Sequence, residues 1–179
     1  FLQRAYGWSP AKIGLWMGVA TLTFSFLGIF YGTWLVERLG RKYADAPLRA
    51  VLINYCGAVV FLVAGPLMPY GELAILFAAI GSGFSTAGSI PQNAAVQIIT
   101  PNAMRGQVTA ILLFMFTVVQ GLGAPLLTFI EHLLGGEQHL GGAMSILAGV
   151  MVPLAAVVLS FALKPYREEM EARERANLV

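Results

Sequence analysis

Five apolar stretches of bilayer-crossing length dominate this chain: residues 13–35, 48–67, 73–99, 108–130 and 144–163. A hydrocarbon core needs about 20 mainly apolar residues at about 1.5 Å rise each. No Asp, Glu, Lys, Arg or His lies well inside any of the five. Backbone amides in lipid must be satisfied within their own segment, so these stretches are expected to be helices. The reading is an all-α, polytopic membrane helix bundle.

Only 11% of the 179 residues are charged, and mean hydropathy is +0.74. A soluble domain of this size carries about 25% charged residues over its surface. A net charge of +2 with no clustered basic face gives no reason to expect a nucleic-acid partner. The single cysteine, Cys56, lies in an apolar run and cannot form an internal disulfide. Phe1-Leu2-Gln3-Arg4 reads as the last turn of a helix that begins upstream, so the chain is expected to be incomplete.

Short connections rich in Gly, Pro, Asn and charge separate the spans, and after Leu163 the composition turns sharply polar. Residues 1–163 are therefore the transmembrane bundle and residues 164–179 a tail. Glu169 and Arg173, and Glu171 and Arg175, stand four apart there, as in a short solvated helix. Nine of the eleven Lys and Arg residues fall on one side: Arg38, Arg41, Lys42, Arg49, Arg105, Lys164, Arg167, Arg173 and Arg175. Arg4 and Lys12 fall on the other. Basic residues are held on the cytoplasmic side, which places the tail there.

Polar groups concentrate on three spans. Gly14, Gly18, Thr21, Ser25, Gly28 and Gly32 share an arc of about 80° on the first. Such a stripe lets another helix backbone come close, for packing or for sliding between conformations. On the third, Ser82, Ser85, Thr86, Ser89, Gln92, Asn93 and Gln97 share about 140° of one face. Amides are costly to expose to lipid, so this stripe should make interhelical hydrogen bonds or line a water-filled pathway. Pro91 beside it removes one backbone hydrogen bond and predicts a bend. The fourth span adds Thr117 and Gln120, with a bent or flexible segment expected at Gly121, Gly123 and Pro125. The second and fifth spans are almost wholly apolar and read as peripheral and lipid-facing.

The candidate pathway is therefore Ser25, Thr86, Ser89, Gln92, Asn93, Thr117 and Gln120, most of them near mid-span, where transporter sites tend to lie. Phe114, Met115 and Phe116 nearby suit an amphipathic or neutral polar substrate. Catalysis finds no support. No span holds a His that could serve as a base, no Cys/His group has zinc spacing, and no phosphate loop is present. His132 and His139, near Glu131 and Glu137, form only a weak metal pattern. No cofactor is expected. A multispan membrane enzyme would need buried acid, base or metal groups, and an accessory structural subunit would need no polar stripe.

Gly32-Thr33-Trp34-Leu35-Val36-Glu37-Arg38-Leu39-Gly40-Arg41-Lys42 resembles a cytoplasmic signature of the major facilitator superfamily, Gly-x-Leu-x-Asp-Arg-x-Gly-Arg-Lys. Glu37 replaces Asp, and Thr33 stands where the first Gly belongs, a decay that suits the signature's second copy. Pro101 to Gln107 resembles the loop before span eleven, and Gly121 to Pro125 a pattern within it. Tyr6 to Gly14 resembles the outer loop before span eight. Within that superfamily the chain resembles the bacterial Spinster-like transporters.

The resemblance implies the C-terminal six-helix half of that fold: the end of span seven plus spans eight to twelve. It implies secondary active transport of a small organic or amphipathic, lysolipid-like solute by alternating access, in a bacterial inner membrane. Its partners would be the bilayer, the solute and an N-terminal six-helix half, which would also carry the proton-coupling residues. Glu37, Arg38, Gly40, Arg41, Lys42, Arg105 and Gly106 would form a cytoplasmic gate.

Overall fold

The computed structural model describes residues 2–136 and 139–177, with side chains except those of Arg4 and residues 173–177. The pairings of Arg173 and Arg175, the charge of Arg4, and Glu137 lie outside the described residues. Six helices follow in order: α1 (Leu2–Tyr6), α2 (Pro10–Gly40), α3 (Ala46–Ala64), α4 (Gly71–Ile99), α5 (Arg105–Leu133) and α6 (Leu140–Asn177). Single 3-10 turns at Gly65–Leu67 and Asn102–Met104 end α3 and precede α5. No strand occurs among the described residues. Five of the helices are long and apolar enough to cross a membrane, the architecture of an integral membrane protein.

Local chemistry sets the ends. Ser9 caps α2 by accepting the Lys12 amide at 3.3 Å, and Pro10 occupies the first turn, where no amide donor is needed. Pro47 likewise occupies the first turn of α3, which has no side-chain cap. The start of α2 is fastened to the α3–α4 turn: the Tyr6 hydroxyl donates to the Met68 carbonyl, and Lys12 sits 3.6 Å over the Trp8 ring and 3.8 Å from Glu72.

The helix α4 is the centre of the fold, packed on α2 along one side and on α3 along the next. It meets α2 backbone to backbone. A Cβ added at Gly28 would stand 2.2 Å from the Gly83 carbonyl oxygen, and one at Gly32 would stand 2.6 Å from that of Ala87. Gly28 and Gly32 thus face Gly83 and Ala87, a small-xxx-small pair on each helix. Lipid tails are as apolar as leucine, so close dispersion contact and weak Cα–H···O bonds must hold the helices together. Pro91 strengthens this logic. It cannot donate to the carbonyl four residues earlier, which is that of Ala87, the one Gly32 packs against.

An aromatic run joins all three helices. Phe84 meets Tyr31 edge-on at 5.8 Å and stacks on Phe61 at 5.8 Å, and Phe61 meets Phe77 edge-on at 5.5 Å. Each such pair contributes about 0.5–1.5 kcal/mol beyond its area. Gly57 makes room for Phe84, since a Cβ there would lie 2.8 Å from the ring.

Three features depart from the sequence reading. First, α3 is more than a lipid-facing strut: Val51, Asn54 and Ala58 are buried, and α3 packs on both α4 and α6. Second, α6 runs through Leu163 without a break, so the bundle and the first turns of the tail are one helix. Tyr166 is buried with Leu48 and Ala95, and Met170 packs on that cluster. Third, α5 has no buried residue and packs on α6 rather than on α4. Both α4 and α5 stay helical through Pro91 and Pro125.

Candidate functional site: the polar face of α4

Ser85, Ser89, Asn93 and Gln97 are spaced four apart along α4, and all four are exposed. This row points away from the face that carries Gly83, Ala87, Pro91 and Ala95, which are buried. Four-residue spacing puts the side chains one above another, so the row is a ladder of hydroxyl and amide groups. The shorter ones bond back to their own helix. Ser85 donates to the Gly81 carbonyl at 3.0 Å, Ser89 to Thr86 at 2.8 Å, and Asn93 Nδ2 to Ser89 at 2.9 Å. Back-bonding satisfies one donor each and leaves oxygen lone pairs facing outward.

Two predicted residues join this face from neighbouring positions. The Thr86 hydroxyl donates to the Ser82 carbonyl at 2.9 Å and stands 3.5 Å from the Ser25 hydroxyl of α2. Ser25, Thr86, Ser89 and Asn93 therefore form one continuous polar surface across α2 and α4. Gln92 does not belong to it. It turns about 100° away from Asn93, and its Oε1 accepts the Tyr55 hydroxyl of α3 at 2.9 Å. The Tyr55–Gln92 pair lines a largely apolar cleft of about 840 Å³ between α3, α5 and α6, opposite Val119, Gly123 and Met151.

Thr117 and Gln120 are exposed on α5, and Thr117 donates to the Leu113 carbonyl at 2.9 Å. The fold does not pack them against the α4 row, because α5 docks on α6. Gly28 and Gly32 sit in the α2–α4 contact, whereas a Cβ at Gly121 or Gly123 would meet open space.

The basic signature occupies the end of α2. Glu37, Arg38, Gly40, Arg41 and Lys42 are all exposed. Arg38 lies 5.2 Å over the Trp34 ring. Arg105 opens α5 and donates from Nε to the Thr100 carbonyl at 3.4 Å, with Gly106 beside it in open space. Among the described residues no ion pair joins these charges to one another.

The charge contact at this end uses a residue that sequence reasoning missed. Asp45 is only 1% exposed, yet it receives Arg49 Nε at 2.7 Å and Arg167 Nη2 at 3.1 Å. It fastens the α2–α3 connection to the far end of α6. Burial pushes its carboxyl up, but hydrogen bonds and positive charge from Arg49 and Arg167 outweigh this and hold it below the usual carboxylate value. The Asp45–Arg49 spacing was a visible signal, whereas Arg167 lies 122 residues away. Asn54 is a second buried polar residue, on α3. It is fully buried, with Nδ2 donating to the Ala50 carbonyl at 2.7 Å and Oδ1 left without a partner.

Among the described residues no group of three or more His, Cys, Asp or Glu could hold a metal. Comparison with protein-family models, with curated proteins and with solved structures gives no match.

Proposed function

We propose that the chain is the C-terminal half of a secondary active transporter of the major facilitator superfamily, nearest its Spinster-like branch. It would carry a small organic or amphipathic solute by alternating access against an N-terminal six-helix half. The observation that carries this reading is the exposed ladder of Ser85, Ser89, Asn93 and Gln97 on a helix of membrane-crossing length. An unpaired amide in hydrocarbon costs several kcal/mol, on the order of 2–7. Such a face is stable against water or other protein, and a solute pathway supplies water.

The cytoplasmic charges at the end of α2 and the start of α5 support the same reading as a gate. The reaction is a movement, not a bond-making step. The proton that drives it would be handled by acids of the N-terminal half. The protein would sit in a bacterial inner membrane with the end of α6 in the cytoplasm.

Transport by the full-length protein of a panel of lysophospholipids and neutral solutes tests this, with Asn93→Leu and Gln120→Leu as variants. Loss of transport at normal membrane insertion is the expected result. Unchanged transport in both variants would remove α4 and α5 from the pathway.

A further inference from the structure

The end of α2 carries three cations that form no ion pair among the described residues. Arg38 and Arg41 stand one helical turn apart, and Lys42 follows directly. All three are exposed, and among the described residues none is in an ion pair. Like charges three and four residues apart on a helix repel. The nearby acids give little relief. Glu37, one turn before Arg41, is exposed and forms no ion pair among the described residues, and Asp45 is committed to Arg49 and Arg167. The α2 C-terminus offers some compensation through its dipole, worth about half a charge.

The surroundings of these cations are those of a membrane interface. Trp34 lies beneath Arg38 and is 51% exposed, with Tyr31 tilted against it at 6.1 Å. Tyr43 is 41% exposed, with Arg49 at 3.9 Å over its ring. Trp and Tyr collect at headgroup level, where an apolar ring body and a polar edge are both satisfied. One turn of helix thus sets exposed aromatic rings beside guanidinium and ammonium groups.

We infer that Arg38, Arg41 and Lys42 form a binding site for the phosphate headgroup of an anionic phospholipid, with Trp34 against its glycerol and upper acyl chain. Arginine supplies paired N–H donors to phosphate oxygens, and lysine adds a point charge. The lipid neutralises the cations that would otherwise repel one another at the gate. This rests on α2 crossing a bilayer and not on what the protein transports.

The test is native mass spectrometry of the full chain released from nanodiscs of phosphatidylcholine with or without phosphatidylglycerol. Retention of phosphatidylglycerol over phosphatidylcholine is expected, falling with added salt. Each cation near the surface is worth about fivefold in affinity, so Arg38→Gln, Arg41→Gln and Lys42→Gln together should lower retention about a hundredfold. Lys12→Gln should leave it within about twofold, since Lys12 lies at the opposite end of α2, beside Glu72. If the triple variant fails to insert, the single Arg41→Gln, at an exposed position, should still lose about fivefold. Equal retention of both lipids, or an unchanged triple variant, would overturn the site. Displacement by soluble glycerol phosphate at millimolar levels would also overturn it, because the groups would then recognise free phosphate rather than a lipid.

Discussion

The tightest contact in the fold gives the sharpest prediction. Gly28→Ala places a methyl carbon 2.2 Å from the Gly83 carbonyl oxygen. A carbon and a carbonyl oxygen rest at about 3.3 Å or more, so α2 and α4 must part by roughly 1 Å at this point. Neither side can yield by a side-chain rotation, because the obstacle is backbone. A gap of 0.5–1 Å forfeits about a quarter to a half of each dispersion contact across the crossing. Together with the strain of overpacking, the loss should be about 2–3 kcal/mol. Gly32→Ala, at 2.6 Å from Ala87, should lose somewhat less. The control lies on the same helix: a Cβ at Gly14 or Gly18 meets nothing within 4 Å. Alanine there should be neutral or stabilise by up to about 1 kcal/mol through helix propensity. Unfolding of each purified variant in detergent, followed by tryptophan fluorescence, measures the differences. If Gly28→Ala and Gly14→Ala unfold alike, the backbone contact between α2 and α4 is wrong.

Other parts of the fold make equally specific predictions. Gly57→Ala would put a methyl 2.8 Å from the Phe84 ring, which Phe61 and Tyr31 hold in place, and should destabilise by about 1–3 kcal/mol in the same assay. Tyr55→Phe removes the donor to Gln92 and should cost about 0.5–1.5 kcal/mol, with little change if Gln92→Leu is already present. Asp45 is held below its unfolded value, so its pairing stabilises the fold above about pH 4 and is lost as pH falls through the lower, folded value. Protection factors against hydrogen exchange in residues 164–172, corrected for the intrinsic rate at each pH, should therefore fall on acidification below about pH 4, and Asp45→Asn should remove that pH response.

The bundle was legible in the sequence because hydropathy reports directly on what faces lipid. All five apolar stretches are helical, yet the helix ends do not coincide with the ends of the stretches. α2 runs from Pro10 to Gly40, although only residues 13–35 stand out as apolar. Hydropathy marks the hydrocarbon core, whereas caps and hydrogen bonds mark the helix. The tail shows the same difference. Its change of composition at Lys164 is an interface, and the backbone, rich in Glu, Arg and Ala, continues as helix.

The candidate face was legible in part, since periodicity on α4 reveals which residues share a side. It could not reveal that Gln92, at the edge of the stripe, would be taken by Tyr55 of another helix. Nor could it find the partners of Gly28 and Gly32, because Gly83 and Ala87 are small residues like many others. The Asp45–Arg167 contact joins distant segments, and only the packing of α6 on α3 brings them together.

The central claim is that the ladder on α4 borders water within the membrane. Cysteine scanning from Gly81 to Gln97, in a Cys56→Ala background, tests it with a membrane-impermeant thiol reagent. Ser85→Cys, Ser89→Cys, Asn93→Cys and Gln97→Cys should label. Ala87→Cys and Ala95→Cys, on the packed face, should not. Protection of the whole helix, or labelling without the four-residue period, would contradict a pathway along α4.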